Sequence, residues 1–383
     1  MSFARSVALA TLTILSASLA AAAPYVPAGD SVVLERLPEQ SDPSLKELKR
    51  LRAMLSVNRR DLQIAATVAQ RAIDAARSNG DPRFLGQAQA ALTPWWSVAD
   101  PPSLALLLRA TLKQSQHDFD GALVDLDRLI EREPTHRQAL LTRATVLTVR
   151  GRYADAVRDC DRLDGLASAL IVATCRAAPR SVSANADTAY GELLRALSRQ
   201  RGAPSVRVWA LTLAAEIATR RRDAHAAERH FAEALAIDPH DAYLRAAYAD
   251  FLLDNGRARE VIALTRDDVQ NDSLLLRLAL AEHTLEDEQP AFERHRAELA
   301  ARFEAARKRG DPLHWREEAR FKLSIENDVN AALTLARANW RVQREPADLK
   351  ILAMSARAAN DVDAQKIATD WMRANRFHDA TLE

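Results

Sequence analysis

Residues 117–134 read HDFDGALVDLDRLIEREP, and residues 151–163 read GRYADAVRDCDRL. In the first stretch an aromatic, a small and a bulky apolar residue follow one another as Phe119, Ala122 and Leu126. The second stretch has residues of the same kinds at the positions 34 residues further on. A fixed period of this length predicts an array of helical repeats, in which each unit buries its apolar face against its neighbours.

Small residues continue this period along the chain. They form two columns whose successive members are 34, 71 and 34 residues apart, namely Ala110, Ala144, Ala215 and Ala249, and Ala122, Ala156, Ala227 and Val261. The middle step is two units with three extra residues, which we place in a looser helix pair between Leu166 and Arg199. Small side chains let two antiparallel helices approach closely, so we expect the two columns to face each other within helix pairs.

Composition supports a helical protein and gives no sign of a nucleic-acid partner. Hydrophobic residues make up 48% of the 383 residues, there are 10 glycines, and alanine, leucine and arginine dominate. These residues favour helices, so we expect essentially no β-sheet. The 53 basic residues are balanced by 52 acidic ones, unlike the one-signed charge of proteins that bind nucleic acids.

The first 22 residues resemble a secretory signal peptide. Arg5 supplies the positive charge, Val7 to Leu19 is apolar, and four alanines follow. We expect cleavage after Ala22. The mature protein should then be periplasmic or secreted and should not insert into a membrane. The alternative is an uncleaved membrane anchor, for which a spanning helix would need nearly all of residues 3–23.

Proline and glycine positions divide the rest of the chain. We predict a signal peptide over residues 1–22 and an extended lead-in over residues 23–43. Irregular N-terminal capping helices follow over residues 44–102, regular repeats over 103–270 and divergent helical repeats over 271–383.

The repeats resemble the tetratricopeptide repeat (TPR) family over about four units between Ser103 and Val269. The resemblance is carried by the two stretches quoted above, by RRDAHAAERHFAEALAIDP at residues 221–239 and by DNGRAREVIAL at residues 254–264. It implies an all-α fold, a right-handed superhelix of antiparallel helix pairs whose first helices line a concave groove.

The resemblance also gives candidate residues for binding a partner in this groove: Leu104, Leu107, Thr111, Gln138, Leu141, Thr145, Trp209, Thr212, Glu216, Tyr243, Ala246 and Asp250. Some family members hold a peptide carboxylate there with lysine, arginine and asparagine, whereas these positions hold leucine, threonine, alanine and acids. A more apolar or mixed groove is implied. Trp209 and Tyr243 are candidate anchors because aromatic residues dominate binding hot spots; alternatively, both pack between units.

No pattern of catalytic or metal-binding residues stands out. His225 and His230 are five residues apart, which places them on different faces of a helix, whereas zinc-binding helices use spacings of three or four. A glycine-rich phosphate loop and a Gly-x-Ser-x-Gly nucleophile motif are both absent from the sequence. We therefore expect no enzyme activity, no metal and no cofactor.

Cys160 and Cys175 are the two cysteines of the chain, and an even number in an exported protein indicates a disulfide. An antiparallel hairpin that turns near Gly165 would bring them to neighbouring levels, where a bond would fix the irregular unit. The alternative is a pair of small buried thiols.

These features predict a non-catalytic scaffold or adaptor that binds a protein or peptide in its concave groove during an envelope process. Two alternatives stay open: an enzyme or small-ligand-binding protein that uses an inter-helix pocket, and a regulatory subunit of a larger complex. The identity of the partner does not follow from the sequence.

Overall fold

A computed structural model describes residues 43–200, 202–310 and 314–382, so the signal peptide and almost all of the lead-in lie outside the described residues. The described residues form nineteen α-helices and no β-strand. The helices are α1 (Pro43–Val57), α2 (Leu62–Asn79), α3 (Arg83–Trp96), α4 (Ser103–Ser115), α5 (Phe119–Arg132), α6 (Arg137–Val149), α7 (Tyr153–Asp161), α8 (Ala169–Arg180), α9 (Ala186–Arg199), α10 (Pro204–Arg220), α11 (Ala224–Ile237), α12 (Ala242–Asp254), α13 (Ala258–Thr265), α14 (Asp272–Glu282), α15 (Gln289–Lys308), α16 (Trp315–Ser324), α17 (Val329–Val342), α18 (Pro346–Ala358) and α19 (Val362–Asn375).

Neighbouring helices pack as pairs, and the pairs stack. Each even-numbered helix from α4 to α18 contacts the odd-numbered helix that follows it, and each from α4 to α16 also contacts the next even-numbered helix. The even-numbered helices therefore form one continuous layer, against which the odd-numbered helices pack. The predicted fold class, an all-α superhelix of antiparallel helix pairs, is confirmed.

The small-residue columns lie in the core between paired helices. All eight members are buried, and none exposes more than 2% of its surface. Small side chains at these positions leave room for the larger apolar residues that fill the space between successive units, among them Leu126, Cys160 and Phe231, which are also buried. The columns are thus core positions, and the facing of their paired members stays a prediction.

One turn geometry recurs between the two helices of a pair. The residue two positions before the second helix has a positive φ in six of the pairs, at His117, Gly151, Arg222, Gly256, Asn327 and Asn360. In four of these turns the next residue is an aspartate whose side chain accepts a main-chain N–H of the second helix, at Asp118, Asp223, Asp328 and Asp361. The pairs α16–α17 and α18–α19 thus follow the same local rules as the regular repeats.

The last helices pack back against earlier turns of the array. The connector between α17 and α18 meets the turn between α6 and α7, where the N–H of Arg344 donates to the carbonyl of Val149 at 2.8 Å. Tyr153 Oη donates to the carbonyl of Arg344 at 2.8 Å, and Arg150 Nη1 donates to the carbonyl of Val342 at 2.9 Å. The superhelix is therefore curled tightly enough for its C-terminal pairs to contact its middle.

Candidate functional site

The inner layer of even-numbered helices carries all the groove residues that the sequence nominates. The three threonines among these candidates make hydrogen bonds within their own helices, because each hydroxyl donates to the carbonyl four residues earlier. Thr111 is half-buried, Thr145 is exposed, and Thr212 exposes only 3% of its surface. These hydroxyls already have an acceptor within their own helix.

The apolar groove candidates divide between core packing and exposure. Leu104 packs against the cluster formed by α1 to α4, whereas Leu107, Leu141 and Trp209 pack against the cluster formed by α4 to α8. Trp209 is half-buried there, in a packing position between units. Tyr243 differs from all of them because 60% of its surface is exposed.

Tyr243 forms a hydrogen bond with Glu216, an acidic groove candidate on the preceding inner helix. Its Oη donates to Glu216 Oε1 at 2.7 Å and links α12 to α10. The charge of Glu216 raises the pKa of Tyr243. Burial raises the pKa of Glu216 in turn, although the Tyr243 hydroxyl opposes this change.

Asp250, a further groove candidate on α12, lies between two arginines. Arg277 Nη2 of α14 is 2.7 Å from Asp250 Oδ2, and Arg320 Nη1 of α16 contacts the other carboxylate oxygen. Burial acts to raise the pKa of Asp250, but the two guanidinium groups outweigh it and hold this pKa well below its usual value. Asp250 thus joins three successive inner helices.

The inner face of the C-terminal pairs is also charged. Arg316 Nη1 lies 3.5 Å from Glu345 Oε2 and 3.4 Å from Asp348 Oδ1, and Asn339 Nδ2 donates to Asp348 Oδ1 at 2.8 Å. Burial, followed by the charge of Asp348, raises the pKa of Glu345 to about 7. Lys350 Nζ of α18 binds Asp254 Oδ2 of α12 at 2.6 Å.

The charged inner surface of α10 and α12 is therefore faced by the chain's own helices α16 and α18. The resemblance implied a groove lined by the first helices, and over this part of the array α16 and α18 enclose the surface at Asp250 and Asp254 while Tyr243 stays exposed. The enclosure arises because the α17–α18 connector reaches the α6–α7 turn, as described above.

An open pocket lies between α6, α8 and the loop that precedes α8. It has a volume of about 550 Å³ and is lined by Thr135, His136, Arg137, Gln138, Leu141, Leu163, Leu166, Ala167, Ser168 and Ile171. Two of the groove candidates, Gln138 and Leu141, belong to this lining. The other candidates lie elsewhere on the inner layer, and their role in binding stays a prediction.

A disulfide joins Cys160 of α7 to Cys175 of α8, with Cα atoms 5.6 Å apart. The predicted pairing is present, and both residues are buried. The loop between the cysteines includes Leu163 to Ser168, which forms one wall of the open pocket.

Two ion pairs between the layers, each with a buried aspartate, were not foreseen. Arg109 Nε lies 2.8 Å from Asp125 Oδ2, and Arg143 Nε lies 2.7 Å from Asp159 Oδ2. Both pairs join the inner helix of a unit to its outer partner, and the second repeats the first at the 34-residue period. That repetition is visible in the sequence and could have revealed them.

Two further features are absent from the residues that the structure describes. These residues contain no group of three or more His, Cys, Asp or Glu side chains placed to hold a metal ion. Within the same residues, no helix combines the length and the apolar character needed to cross a membrane.

Known proteins resemble this chain in fold. The Cut9–Hcn1 hetero-tetramer of the APC/C superposes with a TM-score of 0.53 and 16% identity, over 86% of this chain and 63% of that chain. A tetratricopeptide repeat protein from Parabacteroides merdae superposes with a TM-score of 0.38 and 14% identity, over 75% of this chain and 98% of that chain. A monomeric mutant of IFIT1 with Gppp-AAAA superposes with a TM-score of 0.44 and 13% identity, over 89% of this chain and 84% of that chain. This chain thus spans less than two thirds of the Cut9–Hcn1 chain it matches.

No family model matches the sequence, and no curated protein matches it. The fold nevertheless defines the class: the chain is an all-helical solenoid of tetratricopeptide-repeat type. Solenoids of this kind have extended surfaces formed by their stacked helix pairs.

Proposed function

We propose that this protein is an exported, non-catalytic scaffold or adaptor that binds a protein or peptide on its inner surface during an envelope process. The open, mostly apolar pocket at Gln138 and Leu141 carries this proposal, because it offers a partner an accessible place on the layer of helices that TPR-type solenoids use for binding.

Two features support export to the periplasm or the medium. The N-terminal residues have the charge, apolar stretch and alanines of a cleavable signal peptide. The Cys160–Cys175 disulfide fits an oxidising compartment, where such bonds persist. The mature chain would begin at Ala23 and would have no membrane insertion.

The pairing of charged groups supports a role without catalysis. Asp250 is bound by two arginines, Glu216 by Tyr243, and Asp254 by Lys350. Each of these groups therefore acts in holding helices together, and none is presented to a substrate with a second reactive group beside it. A protein or peptide partner, rather than a nucleic acid, agrees with the balanced charge of the chain.

The experiment is site-specific photo-crosslinking of the full chain in a Gram-negative host. A photoreactive amino acid replaces Gln138 in the pocket, and a matched control replaces Val124, which is 58% exposed on the outer helix α5. We expect a periplasmic protein whose mass corresponds to cleavage after Ala22, and protein adducts from position 138 that position 124 does not give.

Two results would contradict the proposal. Retention of the uncleaved chain in the cytoplasm would exclude the export step. Equal adducts from both positions, or a co-purified small molecule with no protein adduct, would exclude a peptide-binding inner surface and favour the small-ligand alternative.

A further inference from the structure

We propose that the first helix of the array, α1, docks on an anionic membrane surface through its outward face. This inference goes beyond the proposed function, which concerns the inner surface, and does not rest on it. The docking is peripheral, because α1 would lie against the lipid headgroups without crossing the bilayer.

The outward face of α1 is basic. Lys46, Lys49 and Arg50 have the i, i+3, i+4 spacing of one side of a helix, and all three are exposed. The opposite side holds the leucines that pack into the cluster formed by α1 to α4. Arg59 and Arg60, also exposed, continue the basic character into the α1–α2 turn. We call these five residues the basic stripe.

The acids near the basic stripe do not neutralise it. Lys and Arg outnumber acids six to one in residues 43–60, whereas the whole chain has 53 basic and 52 acidic residues. The one acid, Glu47, is half-buried and lies 4.0 Å from Arg71 of α2. Asp61, the next acid along the chain, caps α2 by accepting two of its main-chain N–H groups. Within the part of the chain that the structure describes, no ion pair joins an acid to a residue of the stripe.

Apolar side chains lie on the same face of α1. Met54 and Val57 follow Arg50 at steps of four and three residues, and they expose 43% and 90% of their surface. Arg50 Nη1 lies 3.7 Å from Met54 Sδ, so cation and thioether are direct neighbours. A basic helix face that also carries exposed apolar residues is complementary to a membrane surface, where lipid phosphates attract the cations and the acyl boundary takes up the apolar side chains.

Two features favour lipid headgroups over an acidic protein. Residues 43–61 include no aromatic residue, although aromatic residues dominate the hot spots between proteins. In addition, α1 is the first helix after the predicted signal peptide, which directs the chain to a membrane whether or not it is cleaved after Ala22. The stripe therefore enters its compartment beside a lipid surface.

Docking through α1 leaves the open pocket accessible. The pocket is formed by α6, α8 and the loop before α8, whereas α1 shares its core with α2 to α4 alone. Lipid docking and partner binding thus use different parts of the array and can be measured separately.

The test is co-sedimentation of the full mature chain, residues 23–383, with sucrose-loaded vesicles. The lead-in is kept because it holds four acids and one arginine, so that these charges are present during binding. Vesicles of phosphatidylethanolamine with about 30% phosphatidylglycerol are compared with vesicles of phosphatidylcholine alone. We expect binding to the anionic vesicles only, and we expect this binding to weaken as salt rises from about 50 to about 300 mM.

Two variants locate the binding on α1. The combination of Lys46→Gln, Lys49→Gln and Arg50→Gln removes three exposed cations and keeps residue types that favour helices. It is expected to lower the vesicle partition coefficient at least about tenfold. Val57→Ser replaces the most exposed apolar side chain of the helix and is expected to lower this coefficient about threefold. Circular dichroism checks that each variant is folded.

The matched control removes three exposed cations from the last helix and its end, with the same change in net charge. It combines Lys366→Gln and Arg373→Gln in α19 with Arg376→Gln at the C-cap. Because salt screens charges far from the docked face, this control should stay within about twofold of the wild type.

Several results would overturn lipid docking: no binding to the anionic vesicles, equal binding to the neutral ones, or equal losses in the two triple variants. If the purified chain did not bind the anionic vesicles and a photoreactive amino acid at position 57 gave a protein adduct in cells, the stripe would be a protein-binding surface instead. Adducts from position 138 report on the inner surface, so neither result would overturn the proposed function.

Discussion

The main-chain N–H of Arg344 donates to the carbonyl of Val149 at 2.8 Å, and this hydrogen bond joins the α17–α18 connector to the α6–α7 turn. The carbonyl of Arg344 accepts the hydroxyl of Tyr153, so both main-chain polar groups of Arg344 are satisfied by the same turn. This junction therefore combines main-chain groups with the side chains of Tyr153 and Arg150.

Substitution of Tyr153 is expected to weaken the junction. Tyr153→Phe keeps the ring, which meets Trp371 edge-on at 6.2 Å, and removes the hydroxyl that the Arg344 carbonyl accepts. We expect the free energy of unfolding to fall by about 1 kcal/mol and amide hydrogen exchange at Arg344 to become faster.

The control for this change is Tyr248→Phe, whose hydroxyl is 3.5 Å from Glu228 and therefore makes a weak hydrogen bond at most. It should leave exchange at Arg344 unaltered. If Tyr153→Phe had no more effect there than Tyr248→Phe, the junction would not depend on this hydroxyl.

The buried pair of Arg109 and Asp125 gives a second prediction. Their side chains expose 7% and 2% of their surface, so Asp125→Ala leaves a guanidinium buried without its counter-charge. We expect a loss of about 3–5 kcal/mol in the free energy of unfolding, measured by urea denaturation.

Asp127→Ala is the matched control for that loss. Asp127 belongs to the same helix and also binds an arginine, Arg143, but its side chain is 55% exposed. An exposed pair contributes about 1 kcal/mol or less, so equal losses in the two variants would contradict a special role for the buried pair.

The repeat pattern was predictable because it is local. Ala110 and Ala122 belong to helices joined by a short turn, so their contact requires only helix periodicity and one reversal of the chain. The same locality made the Cys160–Cys175 disulfide predictable, since a single hairpin brings the two cysteines together.

The enclosure of the inner surface was not predictable in this way. Its junction joins the main-chain groups of Val149 and Arg344, which every non-proline residue possesses. The side chains of Tyr153 and Arg150 also bind main-chain carbonyls there, so no pair of complementary residue types marks the contact in the sequence. It also depends on how far the superhelix curls, which is the sum of small rotations from unit to unit. For this reason the sequence nominated Glu216 and Asp250 as groove residues and could not foresee that α16 would face them.

The disulfide is expected to stabilise the irregular unit. The double variant Cys160→Ala and Cys175→Ala replaces both cysteines with small apolar residues and opens a loop with a sequence separation of 15. In the chain-entropy model we expect a loss of about 3 kcal/mol in the free energy of unfolding. Thiol titration of the wild-type protein, unfolded without reductant, should find no free thiol; two free thiols would contradict the bond.

Glu345 gives a pH-dependent prediction. Its side chain faces Asp348, Arg316, Glu216 and Glu317, and burial with the charge of Asp348 raises its pKa to about 7. An ordinary glutamate in the unfolded chain titrates near about 4.3. Between these two values the folded protein keeps a proton that the unfolded chain has lost, so the contribution of Glu345 to stability falls as pH rises through this window and stays low above it.

Glu345→Gln should therefore be more stable than the wild type at pH 8, and this advantage should shrink toward pH 5. The variant keeps the main-chain N–H of residue 345, which donates to Asp348 Oδ2 at 2.9 Å. Its side-chain amide oxygen can also accept the main-chain N–H of Asp348, so both halves of the capping box are retained. Denaturant unfolding at both pH values measures the difference, with Glu131→Gln, an exposed glutamate of α5, as the control that should follow the wild type. An advantage that is the same at pH 5 and pH 8 would show that the charge of Glu345 does not oppose folding, because a titrating carboxylate must make the two values differ.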